Sequence, residues 1–363
     1  MRDYPLPPVA NRWTPVEVDA AGADPDFWAR YHAYRRLRHA ESRPDDPMIP
    51  DDVLEKEMKR MDPFELHFRF EVAASGHMLS WFSAGAASPG SPGYESNKHL
   101  LWADWSVRRD HRRQGIGRSW VPLVLEIMDR HSYTTLEVGT EEASGNAFLK
   151  WLGAEVKQTN QESRLSLAGV DWAMLERWID AGATRSPDTT LEVYDGRLPE
   201  SMWDDYAPQL SGLLNTMPFD DLDHGEIAVT PATIADRYER HDMSGRISHL
   251  MLTREPGGVI SGITEMVYAA DSPTIVYQGF TGVRPDARGR GLGKWLKAAM
   301  AVHVRALYPT AAWSSTDNAT SNAPMLAINR KMGYKQHRVS SEYQITRDRL
   351  GARLRELTPT TPG

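Results

Sequence analysis

The sequence predicts an α+β protein built as two tandem domains, each a mixed α/β sheet flanked by helices. Three observations carry that expectation. A length of 363 residues suits two domains at about 150 residues each. An Arg/Gly-rich segment occurs twice, as SVRRDHRRQGIGRSW at 106–120 and GVRPDARGRGLGKWL at 282–296, with Gly115 answering Gly291 and Gly117 answering Gly293. Flanking landmarks repeat in the same order: VEVDA (16–20) with LEVYD (191–195), and WLGAEV (151–156) with KMGYKQ (331–336). The offsets agree within a few residues, so the chain reads as a duplication, residues 1–182 and 188–363. The boundary is expected in AGATRSPDTT (181–190), a small, polar, proline-containing stretch without an apolar period.

Each element has its own signal. A short strand (15–19; 190–194) precedes a helical region (26–40; 200–215) and a proline- and acid-rich loop, and a second helix follows (51–61; 231–242). Two strands come next (66–73 and 78–84; 247–253 and 258–268), broken by the turn residues SGH and PGG. A further strand (99–107; 274–283) runs into the Arg/Gly-rich turn. After it, IGRSWVPLVLEIMDRH and LGKWLKAAMAVHVRALY place apolar residues every three or four positions, as amphipathic helices do. A strand (134–139; 311–316), a last helix (144–152; 321–332) and one or two closing strands complete each copy. Strands and helices mix without strict alternation, which gives α+β.

Composition narrows the function. Apolar residues are 40% and charged residues 25%, which excludes disorder and collagen-like repeats. A net charge of −7 argues against a nucleic-acid or anionic-membrane binder. No apolar run approaches the roughly 18 residues of a membrane helix, and MRDYPLPPVANRW has no apolar core for a signal peptide. With no cysteine there is no disulfide, thiol nucleophile or thiolate metal site. The 12 histidines show no metal-ligand spacing, so no metal is expected, and His303 reads as a surface or packing residue. The expectation is a cytoplasmic protein, monomer or homodimer, with a small-molecule partner.

The strand–turn–helix element carries the chemistry. Gly289, Gly291 and Gly293 remove side chains where a helix begins, so backbone N–H groups and the helix dipole face one open concavity. Arg288, Arg290 and Lys294 surround it with positive charge, so its guest is a phosphate or pyrophosphate. A Walker A loop fails, because GRGLGK is followed by Trp295. The dinucleotide fingerprint GxGxxG fails as well, since this is GxGxG.

RRQGIG (112–117) and RGRGLG (288–293) resemble the Arg/Gln-x-x-Gly-x-Gly/Ala signature of the GCN5-related N-acetyltransferases (GNAT). Asn322 and MGY at 332–334 fit the same likeness, which covers essentially the whole chain as two copies forming a pseudo-dimer. It implies an acetyl-CoA-dependent N-acetyltransferase that moves an acetyl group directly to a primary amine. The implied coenzyme A contacts are Thr281, Val283, Arg288, Gly289, Arg290, Gly291, Gly293, Lys294, Asn318 and Asn322. In the first copy they are Val107, Arg112, Arg113, Gln114, Gly115, Gly117 and Arg118.

A primary amine with a pKa near about 10.4 must lose a proton near neutral pH, which costs about 4–5 kcal/mol, so a base or a water chain to one is wanted. Glu265, an acid in an otherwise apolar strand, is one candidate, with an outward solvated glutamate as the other reading. Asp104 could serve in the first copy or be a satisfied sheet-edge acid; the second copy has Phe280 there. Relatives carry an acidic tyrosine at a position that is Asn329 here and Leu149 in the first copy, neither of them an acid. Tyr334 or a water is the substitute, and Glu265, Tyr334 and Asn329 stand as the candidate catalytic residues.

Asn318 and Asn322 in one copy, against Glu142 in the other, assign catalysis to the second, because a carboxylate beside a polyanion is unfavourable. The first copy then binds coenzyme A idly or completes the pair. The loop NTMPFDDLDHGE (215–226) offers Asp220 and Asp221 to a small cationic amine, an amino acid or an aminoglycoside-like molecule. A protein lysine or N-terminal acceptor, or a non-catalytic acyl-CoA-binding protein, remains open.

Overall fold

The computed structural model describes residues 13–357, so all but the last residue of the stretch read for a signal peptide lies outside it. The first repeat runs β1 (Val16–Glu17), α1 (Pro25–Ser42), α2 (Asp51–Lys59), β2 (Glu65–Ala74), β3 (His77–Ala87), a short α3 (Tyr94–Asn97), β4 (Leu100–Val107), α4 (Ile116–His131), β5 (Thr135–Thr140), α5 (Ala143–Leu152) and β6 (Glu155–Ser166). A connecting helix, α6 (Trp172–Arg185), follows. The second repeat runs β7 (Thr190–Gly196), α7 (Trp203–Leu214), α8 (Pro231–Ser244), β8 (Arg246–Arg254), β9 (Ile260–Ala269), β10 (Ile275–Val283), α9 (Leu292–Leu307), β11 (Trp313–Ala319), α10 (Ala323–Met332) and β12 (Lys335–Thr346), with α11 (Arg347–Leu357) last. The mixed α/β architecture and its order match the reading of the sequence. Among the described residues no helix is long and apolar enough to cross a membrane.

Local sequence accounts for the boundaries. Asp24 accepts a bond from the Phe27 N–H at 2.7 Å, and Pro25 opens α1 with its φ preset. Thr230 and Thr233 form a reciprocal capping box on α8. The unforeseen elements are α6, α11 and the short α3. Helix α6 occupies residues 181–185, where the linker was expected, and it had a signal: Asp171 caps it through the Met174 N–H at 2.9 Å, just before the amphipathic run WAMLERWID.

The compact units do not coincide with the repeats. Unit 1 holds residues 1–158, 221–225 and 340–363; unit 2 holds 159–220 and 226–339. The division therefore falls inside β6 and β12, not at 182–188. The sheet of unit 1 has the order β1-β2-β3-β4-β5-β12, and β12 pairs antiparallel with β5 from Ser341↔Thr140 to Thr346↔Thr135. In unit 2 the order is β6-β11-β10-β9-β8-β7, with β6 antiparallel to β11. Each repeat thus gives its closing strand and following helix to the other unit.

Unit 1 packs α4 and α11 on one sheet face through Phe82, Trp120, Ile127, Tyr343 and Leu350; α1 and α2 cover the other through Phe27, Trp28, Tyr31 and Trp81. In unit 2 helices α6 and α9 meet closely at Gly182, where a Cβ would lie 2.6 Å from the Trp295 Cβ. Gly182→Val should destabilise unit 2 by about 1–3 kcal/mol, because Trp295 is buried and has no room to yield. Chemical denaturation followed by tryptophan fluorescence checks this.

Candidate active site

In both units the central parallel strands part. β4 pairs with β5 only over Leu100–Trp102, and β10 with β11 only over Ile275–Tyr277. Beyond those residues neither pair keeps its ladder, and in unit 1 a slot opens in front of the Arg/Gly-rich turn. In unit 1 that slot is a cavity of about 840 Å³. Of the first-copy residues expected there, Val107, Arg112, Arg113, Gly115, Gly117 and Arg118 line it; Gln114 does not. Gly115 begins α4 at φ 86°, a left-handed conformation that glycine adopts without strain, and a Cβ there would meet nothing within 4 Å. Open space, an exposed helix start and three lining arginines, Arg112, Arg113 and Arg118, fit a coenzyme A pyrophosphate.

Glu142, read from the sequence as a charge set against a polyanion, is paired in the structure. Its carboxylate pairs with Arg112 at 2.7 Å and with Arg38 of α1. It is part-buried, which works against ionisation, but the two guanidinium groups outweigh that and hold its pKa below the usual value. Their charge neutralises the carboxylate beside the expected polyanion. Arg38 also pairs with Glu41, and its buried Nε has no partner. Sequence reasoning missed Arg38, because an arginine in the run RRLRH carries no signal that sets it apart.

A second cavity of about 450 Å³ lies in unit 1, lined by residues of α1, α2, β2, β3, β4, β5 and β12. Asp104, Gly139 and Glu342 line both hollows. Asp104 presents its surface to them while protein surrounds it at longer range. Poor solvation is the main cause of its raised pKa; Arg38 opposes the shift and Glu142 adds to it. Glu342 belongs to the second repeat, so nothing in the sequence places it here.

Unit 2 treats its counterparts differently. Phe280 stands where unit 1 has Asp104, and packs against the core beneath α7 and α8. Glu265 is paired with Arg237. Arg290 turns to Glu255 at 2.9 Å, Thr189 at 2.6 Å and Ser186 at 3.1 Å. Lys294 lies 5.3 Å from the Trp178 ring; Arg288 bonds the Val283 carbonyl at 3.2 Å, just as Arg112 bonds the Val107 carbonyl at 3.1 Å in unit 1. Gly289 and Gly291 hold φ of 84° and 88°, while Gly293 has ordinary room beside Ile328. Thr281 bonds Thr264 at 2.8 Å.

The remaining candidates of this unit have separate surroundings. Asn322 caps α10 through the Met325 N–H at 3.3 Å. Asn318 accepts from the buried Asn329, whose own Oδ1 lacks a partner. Tyr334 bonds Ser314 at 2.7 Å inside the core, and burial pushes its pKa up to about 12. Asp220 stays with unit 2 at φ 48°, whereas Asp221 begins the segment 221–225 of unit 1 and donates its N–H to the Lys157 carbonyl at 3.2 Å.

His303 is more than a lone surface residue. Its Nε2 lies 2.8 Å from Asp195 Oδ1, which also meets His249 Nδ1 at 2.6 Å; His249 Nε2 meets the Tyr308 hydroxyl at 2.8 Å. The three come from β7, β8 and α9, so sequence spacing could not show them together. A chain of protein hydrogen bonds already uses these atoms.

The sequence matches no family profile and no curated protein. Solved structures are similar to it throughout. A tandem GNAT protein from the clavulanic acid biosynthesis pathway is 19% identical, with a TM-score of 0.67 over 93% of this chain and 99% of its own. A GCN5-related N-acetyltransferase from Sphaerobacter thermophilus is 14% identical, with a TM-score of 0.60 over 94% and 97%. The N-myristoyltransferase of Saccharomyces cerevisiae, solved with myristoyl-CoA, is 11% identical, with a TM-score of 0.55 over 95% and 80%. Two splayed sheets, each with a glycine turn opening a helix, and these full-length similarities give the chain the fold of the tandem GCN5-related N-acetyltransferases.

Proposed function

We propose that this chain is an acyl-coenzyme A-dependent N-acyltransferase, with acetyl as the acyl group, whose working site is in unit 1. The observation that carries the reading is the position of Asp104, common to a cofactor-sized slot and a second, acceptor-sized hollow. Arg112, Arg113 and Arg118, with the amides at the start of α4, hold the coenzyme A phosphates. When bound, the coenzyme supplies an activated thioester. Asp104 takes a proton from the incoming ammonium, which makes the nitrogen nucleophilic; its raised pKa brings base and amine closer in proton affinity. The edge of β4 beyond Trp102, unpaired with β5, offers backbone N–H groups to the developing oxyanion. Unit 2 keeps the turn but carries Phe280 in place of the base.

The test is thiol release from acetyl-CoA over a panel of amines, with paired variants. Gly117 has ordinary room beside Phe148 at 3.7 Å, so Gly117→Trp fills the slot with little cost to the turn itself. It should lower turnover at least about a hundredfold, the scale of losing cofactor positioning. Gly293→Trp in unit 2 should leave most activity. The opposite pattern in folded variants, checked by circular dichroism, would move the site to unit 2. Coenzyme A binding without thiol release from any amine would make the chain a non-catalytic binder.

A further inference from the structure

We propose that the second hollow of unit 1 selects an acceptor with at least two ammonium groups, a diamine or longer polyamine. This rests on the acyl-transfer reading above. The first ground is two carboxylate positions without a protein partner. The Asp104 carboxylate receives no side-chain or backbone hydrogen bond among the described residues, though its backbone is paired in the sheet. Glu137 is nine-tenths buried, and its Oε2 receives both protein bonds, from Gln344 at 2.7 Å and His224 at 2.8 Å. Its Oε1 receives none of these bonds, and Glu137 lines the hollow. A carboxylate oxygen that faces the hollow with no protein donor is open to a charged one, and a hydrogen bond from an ammonium is among the strong ones.

The second ground is how the other two acids are seated. A Cβ on Gly85 would lie 1.9 Å from Glu65 Oε1, and one on Gly139 would lie 2.6 Å from Glu342 Oε2. Each glycine leaves room on the sheet for a carboxylate that lines the hollow. Aromatic walls are the third ground. Tyr31, Trp81 and Trp102 line the same space, and rings of this kind hold ammonium groups against their faces.

Arg69 and His67 also line it, and both are met by protein. Arg69 donates to the Met58 carbonyl at 3.3 Å, and His67 lies 3.8 Å from Asp62. Four carboxylates and one guanidinium line the hollow, with His224 meeting Glu137, so the lining is acidic on balance. An amine about to be acylated must be neutral when it attacks, so it cannot be the cation that this charge retains. A second ammonium on the same molecule supplies that cation and presents the first nitrogen to Asp104.

Calorimetry on the full chain saturated with coenzyme A, using diaminobutane against butylamine, tests the idea directly. The diamine should bind at least about tenfold tighter, and its KM should be lower by a similar factor, as expected for a site whose polar groups go unpaired with the wrong ligand. Glu65→Gln and Glu342→Gln, each checked for folding, should erase much of that preference, and Glu65→Gln, which lies outside the coenzyme slot, should spare coenzyme A affinity. Equal affinities, or a preference untouched by both variants, would overturn the inference. If butylamine is acetylated as well as the diamine, acyl transfer stands and the selectivity falls. A diamine preference in calorimetry without thiol release supports the selectivity and removes acyl transfer.

Discussion

Asp104→Asn should abolish most amine acylation and, at the same time, raise the stability of unit 1 at neutral and alkaline pH. The isosteric amide cannot take a proton, so kcat/KM is expected to fall by about 10²–10⁴, the range for a lost general base. Coenzyme A affinity should hardly change, because the phosphate contacts lie at the turn. The stability effect has the opposite sign for a definite reason. Poor solvation by the surrounding protein raises the folded-state pKa of Asp104 above its unfolded value, although its surface faces the hollows. The folded state therefore binds the proton more tightly than the unfolded chain, and native stability is lost as pH rises through the unfolded value up to the folded one. Asparagine carries no charge, so the variant escapes that loss. Thermal melts should show the variant gaining over the parent above the folded pKa and matching it more closely in acid. A variant that loses activity and stability together at alkaline pH would make Asp104 a structural residue. In the parent, activity should fall with acid through a pKa above the ordinary carboxylate range, as Asp104 becomes protonated.

The local half of this design was legible in the sequence. The glycine turn, the amphipathic helix after it and the order of strands follow from side-chain period and backbone freedom, both properties of neighbouring residues. What the sequence hides is which copy each distant segment joins. Glu142 reads as an electrostatic fault until Arg38, over a hundred residues earlier, is seen beside it. Asp220 and Asp221 read as one acidic patch, yet the division between units runs between them. Glu342 lies in the second repeat and lines the slot of unit 1. A duplicated sequence pairs its own strands equally well within a copy or between copies, because both closing strands present similar edges. The pattern therefore cannot report the exchange.

Deleting residues 340–363 should unfold unit 1, although those residues belong to the second repeat. The deletion removes β12 from Ser340 onward, including its pairing with β5 from Ser341 through Thr346, and all of α11. It takes away Tyr343 at 1% exposure, Ile345 at 4% and Leu350 at 1%, all within the core of unit 1. At about 1.5–3 kcal/mol for each buried side chain, these three alone contribute about 5–9 kcal/mol. That is comparable with the whole stability of a typical domain, about 5–15 kcal/mol. Lost as well are the Tyr343 bond to Asn146 at 2.8 Å and the two Arg347 bonds to Asp129 at 2.6 and 2.7 Å. Freed of β12, β5 would become an edge strand with unpaired backbone groups and a hydrophobic face. Hydrogen exchange read by fragment should show α4 and β5 losing protection while α9 and β10 keep theirs, and the coenzyme affinity assigned to unit 1 should vanish. A fragment of residues 1–182 should likewise fail to unfold cooperatively, since it lacks the same strand. If that fragment melted as a stable domain, each repeat would close its own sheet in solution, and Glu342 would have no place in the first copy's site.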